Sequence, residues 1–103
     1  MASSDLLTFK QSVERHLSNE NAGFSKSTKY VISPSGEYAG IYLNQGLLST
    51  DVVMYHARTH NGPINRLSET FLMVVNASNF RKRLIQLISD GKYDASTAFQ
   101  MAK

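Results

Sequence analysis

Residues 29–43, KYVISPSGEYAGIYL, decide the fold, because they contain both halves of a β-hairpin and the turn between them. Two runs rich in β-branched and aromatic residues flank a short polar segment, which is the pattern of paired strands. Pro34 fixes the φ angle that an early turn position requires, and Gly36 suits the closing position of a type I turn. The sequence therefore predicts an antiparallel hairpin centred on residues 33–36.

The register of this hairpin decides which side chains share a face. Pairing Ser33 with Gly36 places Tyr30 opposite Ala39, and a slip of one residue would exchange the two faces. The face that we expect in the core comprises Tyr30, Ile32, Ala39, Ile41 and Leu43. The other face comprises Lys29, Val31, Tyr38, Gly40 and Tyr42.

Tyr38 and Tyr42 flank Gly40 on the second face, beside Lys29. Exposed aromatic rings next to a cation form a surface on which nucleic-acid bases can stack. Alternatively, the two rings cover a second hydrophobic layer or a subunit interface. The pattern alone leaves both interpretations open.

Residues 4–18 predict an amphipathic helix before the hairpin. Its apolar side chains recur every three or four residues, at Leu6, Phe9, Val13 and Leu17. Ser4 is placed to cap this helix, and Asp5 suits the positive end of its dipole. The polar residues 18–27 that follow predict a loop.

Residues 47–63, LLSTDVVMYHARTHNGP, fit two structures. As a helix the segment would be capped by Ser49 or Thr50 and would end at Gly62. As a strand it has the β-branched and aromatic residues of 52–55. We favour the strand.

Residues 71–75 are consecutive apolar side chains, which predicts a strand buried on both faces of the sheet. Ser78 then caps a helix that continues to Ser89 and ends at Asp90-Gly91. Asp94 caps a short terminal helix.

These elements predict one α+β domain over residues 1–103. We expect an antiparallel sheet of three or four strands, packed with an N-terminal helix and two C-terminal helices. A doubly buried strand needs cover on both sheet faces, and the terminal helix is small. A homo-oligomer, most simply a two-fold dimer, would supply the remaining cover.

Composition narrows the class of protein. Hydrophobic residues make up 42% and charged residues 18%, which is typical of a globular chain. Cysteine is absent, so thiolate catalysis and zinc–thiolate sites are excluded. The first residues lack the basic start and apolar core of a secretory signal, and no apolar run is long enough to span a membrane. We expect a cytoplasmic protein that does not enter a membrane.

The net charge of +3 comes entirely from residues 78–103. Arg81, Lys82 and Arg83 would lie in the first turn of the helix that Ser78 begins. Helix N-termini attract anions, so free N–H groups, two guanidinium groups and an ammonium group could hold a phosphate or a carboxylate. Alternatively, the three cations form a solvated basic side of a core helix, or pair with protein carboxylates.

Catalysis, metal binding and cofactor binding have little support in the sequence. His56 and His60 could share a metal only on a helix, and no third ligand is evident. No spacing identifies a catalytic triad, and residues 34–40 lack the lysine of a phosphate-binding loop. We therefore predict no metal, no cofactor and no enzymatic activity.

The functional prediction is a small binding protein of the regulator or inhibitor type that acts through protein–protein contacts as a homo-oligomer. The alternative is an anion-binding protein that recognises nucleic acid or a nucleotide-like ligand. Its candidate residues are Ser78, Arg81, Lys82 and Arg83, joined by Lys29, Tyr38 and Tyr42.

Overall fold

The structure, a computed structural model, describes residues 2–19 and 28–103. Residues 20–27, most of the predicted loop, lie outside the described residues. The elements in chain order are α1 (Ala2–Asn19), β1 (Lys29–Ile32), β2 (Tyr38–Gln45), β3 (Thr50–Ala57), β4 (Asn65–Leu72), α2 (Val74–Asp90) and α3 (Ala95–Ala102). The strands form one antiparallel sheet in the order β1-β2-β3-β4. The predicted α+β class, with four strands and three helices, is confirmed.

The sheet lies between two helical layers, because each face has its own apolar core. One core joins α1 to β2 and β3, through Phe9, Val13, Leu17, Tyr38, Tyr42, Val53, Tyr55 and Ala57, and Tyr30 and Ile32 of β1 pack against it. The other joins the sheet to α2 and α3, through Ala39, Ile41, Val52, Met54, Ala77, Phe80, Leu84, Ile88, Ala95, Ala98, Phe99 and Ala102. Successive strand side chains point to opposite faces, so β2 and β3 are buried on both.

The predicted N-terminal helix is confirmed, with its apolar stripe buried against the sheet. Phe9 and Val13 have no exposed surface, and Leu17 is buried as well. The helix begins at Ala2 rather than after Ser4, so the predicted cap is wrong. The backbone carbonyl of Ser4 already accepts a hydrogen bond from the Thr8 hydroxyl within the helix.

The predicted hairpin is confirmed, but its register is shifted by one residue. The Gly36 N–H donates to the Ser33 carbonyl as expected, at 2.8 Å. The Ser33 N–H then donates to the carbonyl of Glu37, because Gly36 adopts φ +94° and adds one residue on the β2 side. Tyr30 consequently lies opposite Gly40.

This shift redistributes the side chains between the faces. Tyr30 and Ile32 join Tyr38 and Tyr42 under α1, whereas Val31 packs with Ala39 on the α2 side. The predicted grouping of faces is therefore wrong. Both faces belong to the core.

The preference for a strand rather than a helix within residues 47–63 is confirmed by β3. Val52 and Met54 point to the α2 side, and Val53 and Tyr55 point to α1. All four side chains are fully buried. A central strand with two covered faces explains the unbroken apolar run at 52–55.

The predicted buried strand at 71–75 is wrong. The strand lies earlier, in β4, and α2 has already begun at Val74. Phe71, Met73 and Val75 are 83%, 74% and 70% exposed. The apolar run therefore spans a strand–helix junction at the surface. The length of the run alone does not distinguish an exposed junction from a buried strand.

The predicted C-terminal end of α2 and the predicted N-terminal cap of α3 are both confirmed. Gly91 ends α2 in the left-handed conformation and donates its N–H to the Ile88 carbonyl. The Asp94 carboxylate caps α3 by accepting from the Thr97 N–H at 2.7 Å. Hydrogen bonds from the side chain and then the backbone of Thr97 lower the pKa of Asp94. Across residues 2–19 and 28–103, no helix is long and apolar enough to cross a membrane.

Candidate functional site

The predicted anion site at the start of helix 78–90 does not form, because α2 begins four residues earlier. Met73 occupies the N-cap position and makes no side-chain capping bond. Ser78 lies in the second turn, so its predicted role as a cap is wrong. Arg81, Lys82 and Arg83 lie about two turns inside the helix, beyond the reach of its N-terminal N–H groups.

The three cations also point to different surroundings. Arg83 donates from Nε and Nη2 to the Ala102 carbonyl, at 3.1 and 2.6 Å, and so caps the C-terminus of α3. Lys82 is exposed, whereas Arg81 is half-buried and has an interaction of its own. The structure assigns Arg83 a structural role and does not bring the three together around one ligand.

The predicted stacking surface is excluded by burial. Tyr42 is 2% exposed and Tyr38 is 8% exposed, both beneath α1. Phe9 contacts Tyr38 with ring centroids 5.6 Å apart, and Tyr42 stacks on Tyr55 at 6.0 Å. The tyrosines form the second hydrophobic layer that was the alternative interpretation. Lys29 remains exposed at the edge of β1.

Burial changes the ionisation of the tyrosines on this face. Desolvation raises the pKa of Tyr30 to about 12, and the nearby negative charge of Glu14 adds to the increase. Burial also raises the pKa of Tyr38, with the Asp5 carboxylate contributing. Both phenols therefore lose their proton only at a higher pH than an exposed tyrosine does.

The histidines contact separate carboxylates. His56 Nδ1 lies 3.0 Å from Glu37 Oε1, and His60 Nδ1 lies 3.8 Å from Asp5 Oδ1. Among the residues described, no group of three histidine, aspartate or glutamate side chains is placed to hold a metal ion.

Glu37 links three elements of the fold. Its Oε1 contacts His56 on β3, and its Oε2 accepts from the backbone N–H of Ala95 at the start of α3, at 3.1 Å. A carboxylate can only accept hydrogen bonds, so His56 donates from Nδ1. The cluster borders a polar cavity of about 450 Å³ that Arg58 and Arg66 also line. Since both oxygens of Glu37 have partners within the fold, the structure supports an architectural role for it.

A second feature that the sequence did not reveal is an exposed apolar surface at one end of the sheet. Thr50 pairs with Leu72, so the β2–β3 turn and the β4–α2 junction lie at the same end. We call this the apolar end surface; it comprises Leu47, Leu48, Phe71, Met73, Val74 and Val75, which are between 51% and 104% exposed. Neither residues 38–50 nor residues 70–80 contain a charged side chain.

The apolar end surface is as large as the largest apolar patch of a typical monomer, which is often a functional surface. Burial of a large apolar side chain contributes about 1.5–3 kcal/mol, at about 25 cal/mol for each Å² of apolar area removed from water. The ratio of these two values gives roughly 100 Å² of apolar area for each such side chain. Six residues at these exposures therefore present on the order of 500 Å², and the largest patch of a typical monomer is about 300–600 Å².

Backbone strain at Phe71 coincides with this surface. Val52 pairs with Glu69 and Thr50 with Leu72, so β4 contains one extra residue, a β-bulge. Within it Phe71 adopts φ +64°, which an aromatic residue rarely does. Strain of this kind concentrates at functional sites, and here it directs a large apolar ring into solvent.

Replacing Phe71 with glycine tests this strain. Phe71→Gly is expected to raise the free energy of unfolding by up to about 1 kcal/mol, because glycine relieves a left-handed conformation that costs about 1–2 kcal/mol and little packing is lost. Phe71→Ala removes the ring but keeps the Cβ, so it should bring no such gain. Urea unfolding of both variants measures the difference, and a glycine variant less stable than the alanine variant would contradict the interpretation.

Comparison with known proteins gives no relative: no family model, curated protein or solved structure matches the chain.

Proposed function

We propose that the chain is a non-catalytic binding protein of the regulator or inhibitor type, which acts through protein–protein contacts and assembles as a homo-oligomer. The observation that carries this proposal is the apolar end surface, whose six side chains are all more than half exposed. The absence of cysteine is compatible with the reducing cytoplasm, where we place the protein.

Area and charge favour a second copy of the chain as one occupant of this surface. A standard interface takes about 800 Å² from each partner, and the apolar end surface offers most of that. Because residues 38–50 and 70–80 are uncharged, two copies with net charge +3 can meet there without like charges in contact. In a two-fold dimer, the Leu47–Leu48 turn of one copy can face the start of α2 in the other.

The alternative, recognition of nucleic acid or a nucleotide-like ligand, is not favoured by any contact described above. Arg81 and Lys82 lie away from the helix start, and Arg83 is bonded to Ala102.

Sedimentation velocity over about 1–100 µM tests the assembly, since this range covers dissociation constants typical of specific but modest interfaces. We expect a monomer–dimer equilibrium. The variant with Leu47→Asp and Leu48→Asp should raise the dissociation constant at least about tenfold, because four charges would enter an apolar contact.

Leu7→Asp is the matched control, since Leu7 is an exposed leucine on α1, outside the apolar end surface. It should leave the dissociation constant unchanged. A strict monomer across the range, or an equal effect of the Leu7 control, would refute assembly through this surface.

A further inference from the structure

The outer edge of β4 is an open strand edge. The strand spans Asn65–Leu72 and, of the chain segments that the structure describes, only β3 pairs with it. The opposite edge, β1, has four residues, against eight in β4. An edge strand presents a row of backbone N–H and C=O groups that match another extended chain.

A cavity of about 370 Å³ opens beside this edge. Leu72 and Phe80 supply apolar walls, and Asn76 and Asn79 supply amides from α2. Glu69 of β4 also lines the cavity, where its carboxylate lies 3.1 Å from the Lys103 ammonium.

Glu69 connects the edge to the cavity. Residues opposite each other in paired strands point to the same face of the sheet. A residue of an added strand that lies opposite Glu69 would therefore direct its side chain to the side of α2, where the cavity is. This combination of an edge strand, a flanking helix and a side-chain pocket is the geometry of peptide recognition by strand addition.

We propose that the β4 edge and this cavity bind an extended segment of a partner protein, with one large apolar side chain in the cavity and a carboxylate beside Lys103. The cavity is lined by Arg83 and Lys103 against one acid, Glu69, so its ionised side chains sum to a positive charge. Lys103 and Glu69 are 45% and 27% exposed, and an ion pair at that exposure exchanges partners at little cost.

The β4 strand of a second copy does not fit this role. In a two-fold antiparallel pair whose axis is perpendicular to the sheet, the residue opposite Glu69 must come from the same strand face. If the two-fold axis passes near the centre of β4, the residue of the second copy that lies opposite Glu69 is Asn65, Leu67 or Glu69. Asn65 is polar, Leu67 already packs against its own core, and Glu69 would repel its equivalent. The proposed site is thus distinct from the apolar end surface and does not depend on it.

Nuclear magnetic resonance titration of the full chain with short peptides tests the proposal. The first peptide is the heptapeptide TVTLTET with both ends blocked. Four further peptides replace its central leucine with isoleucine, valine, methionine or phenylalanine. We expect at least one peptide to perturb the amide signals of residues 65–70 with a dissociation constant below about 1 mM. Replacing the central residue with glycine should weaken binding about tenfold. Alternate backbone N–H groups of an added strand face β4, so proline at either the third or the fourth position should abolish binding by removing one of these donors.

Two protein variants localise the effect. Asn79→Trp should fill the cavity and weaken the peptide at least tenfold, whereas Lys82→Trp adds the same ring to an exposed position of α2 that does not line the cavity and should have no effect. Absence of any response at residues 65–70 for all five peptides would overturn the proposal. So would insensitivity to Asn79→Trp, or amides of the β4 edge already protected from exchange by pairing between copies.

Discussion

Glu37→Ala is expected to lower the free energy of unfolding by about 3 kcal/mol, because it removes two hydrogen bonds to a carboxylate, each contributing about 1.5–3 kcal/mol. One joins Glu37 to His56 and the other to the Ala95 N–H, and the Glu37 side chain is only 15% exposed. Loss of the second bond leaves the first N–H of α3 without its acceptor. Urea unfolding with an unchanged m-value measures the effect.

Glu37→Gln is the control that separates charge from connectivity. Its amide oxygen can accept from Ala95, and its amide nitrogen can donate to the other tautomer of His56, so we expect a loss of only about 1 kcal/mol. If the glutamine variant were as unstable as the alanine variant, the charge of Glu37 would stabilise the fold, and not its two hydrogen bonds as such. A loss below about 1 kcal/mol for Glu37→Ala would show that the two bonds contribute little.

Gly91→Ala is the second large effect, with an expected loss of about 3 kcal/mol. Gly91 has φ +75°, and alanine in the left-handed region costs about 1–2 kcal/mol. The added Cβ would also lie 2.8–3.0 Å from ring atoms of Pro34, and overpacking of this kind costs about 1–3 kcal/mol. Thermal or urea unfolding reports the change.

Gly36→Ala provides the matched comparison, since Gly36 also has a positive φ but nothing lies within 4 Å of its added Cβ. It should cost only the conformational part, about 1–2 kcal/mol. Pro34→Ala should recover part of the loss in the Gly91→Ala background and not in the Gly36→Ala background. Equal losses at the two glycines would mean that the contact with Pro34 is not tight.

Local signals predicted most elements of this fold, with β4 and the start of α2 as the exceptions. The stripe of α1, the turn at Pro34 and Gly36, the strand at 50–57 and the caps at Gly91 and Asp94 each depend on residues close together in sequence. Their energetics are local, so a short window contains the information.

The errors in the predicted register and in the predicted strand and helix bounds arose where local sequence does not determine the arrangement. A single bulged glycine, Gly36, shifted the register and exchanged the faces of β1. The apolar run at residues 71–75 has the same composition whether it is buried or exposed, and only the tertiary structure determines which of the two occurs. Placing the helix start at Ser78 instead of Val74 then put the cations in the first turn.

The structural role of Glu37 could not have been predicted from the sequence. An acid in a polar turn is usually exposed, and its partner Ala95 lies 58 positions away. The cavity beside β4 likewise depends on how α2 and α3 pack. Neither feature has a motif.

The order β1-β2-β3-β4 has a consequence for how the chain assembles. Every strand pairs with a neighbour in sequence, so the sheet can form hairpin by hairpin with short loop closures, which favours rapid folding. The bond between Glu37 and Ala95 closes a far longer loop, so we expect it to form when α3 docks on the sheet. Contacts made after the transition state govern the rate of unfolding rather than that of folding. We therefore expect the loss of the Glu37 carboxylate, which lies at the end of the turn at 33–37, to speed unfolding more than it slows folding.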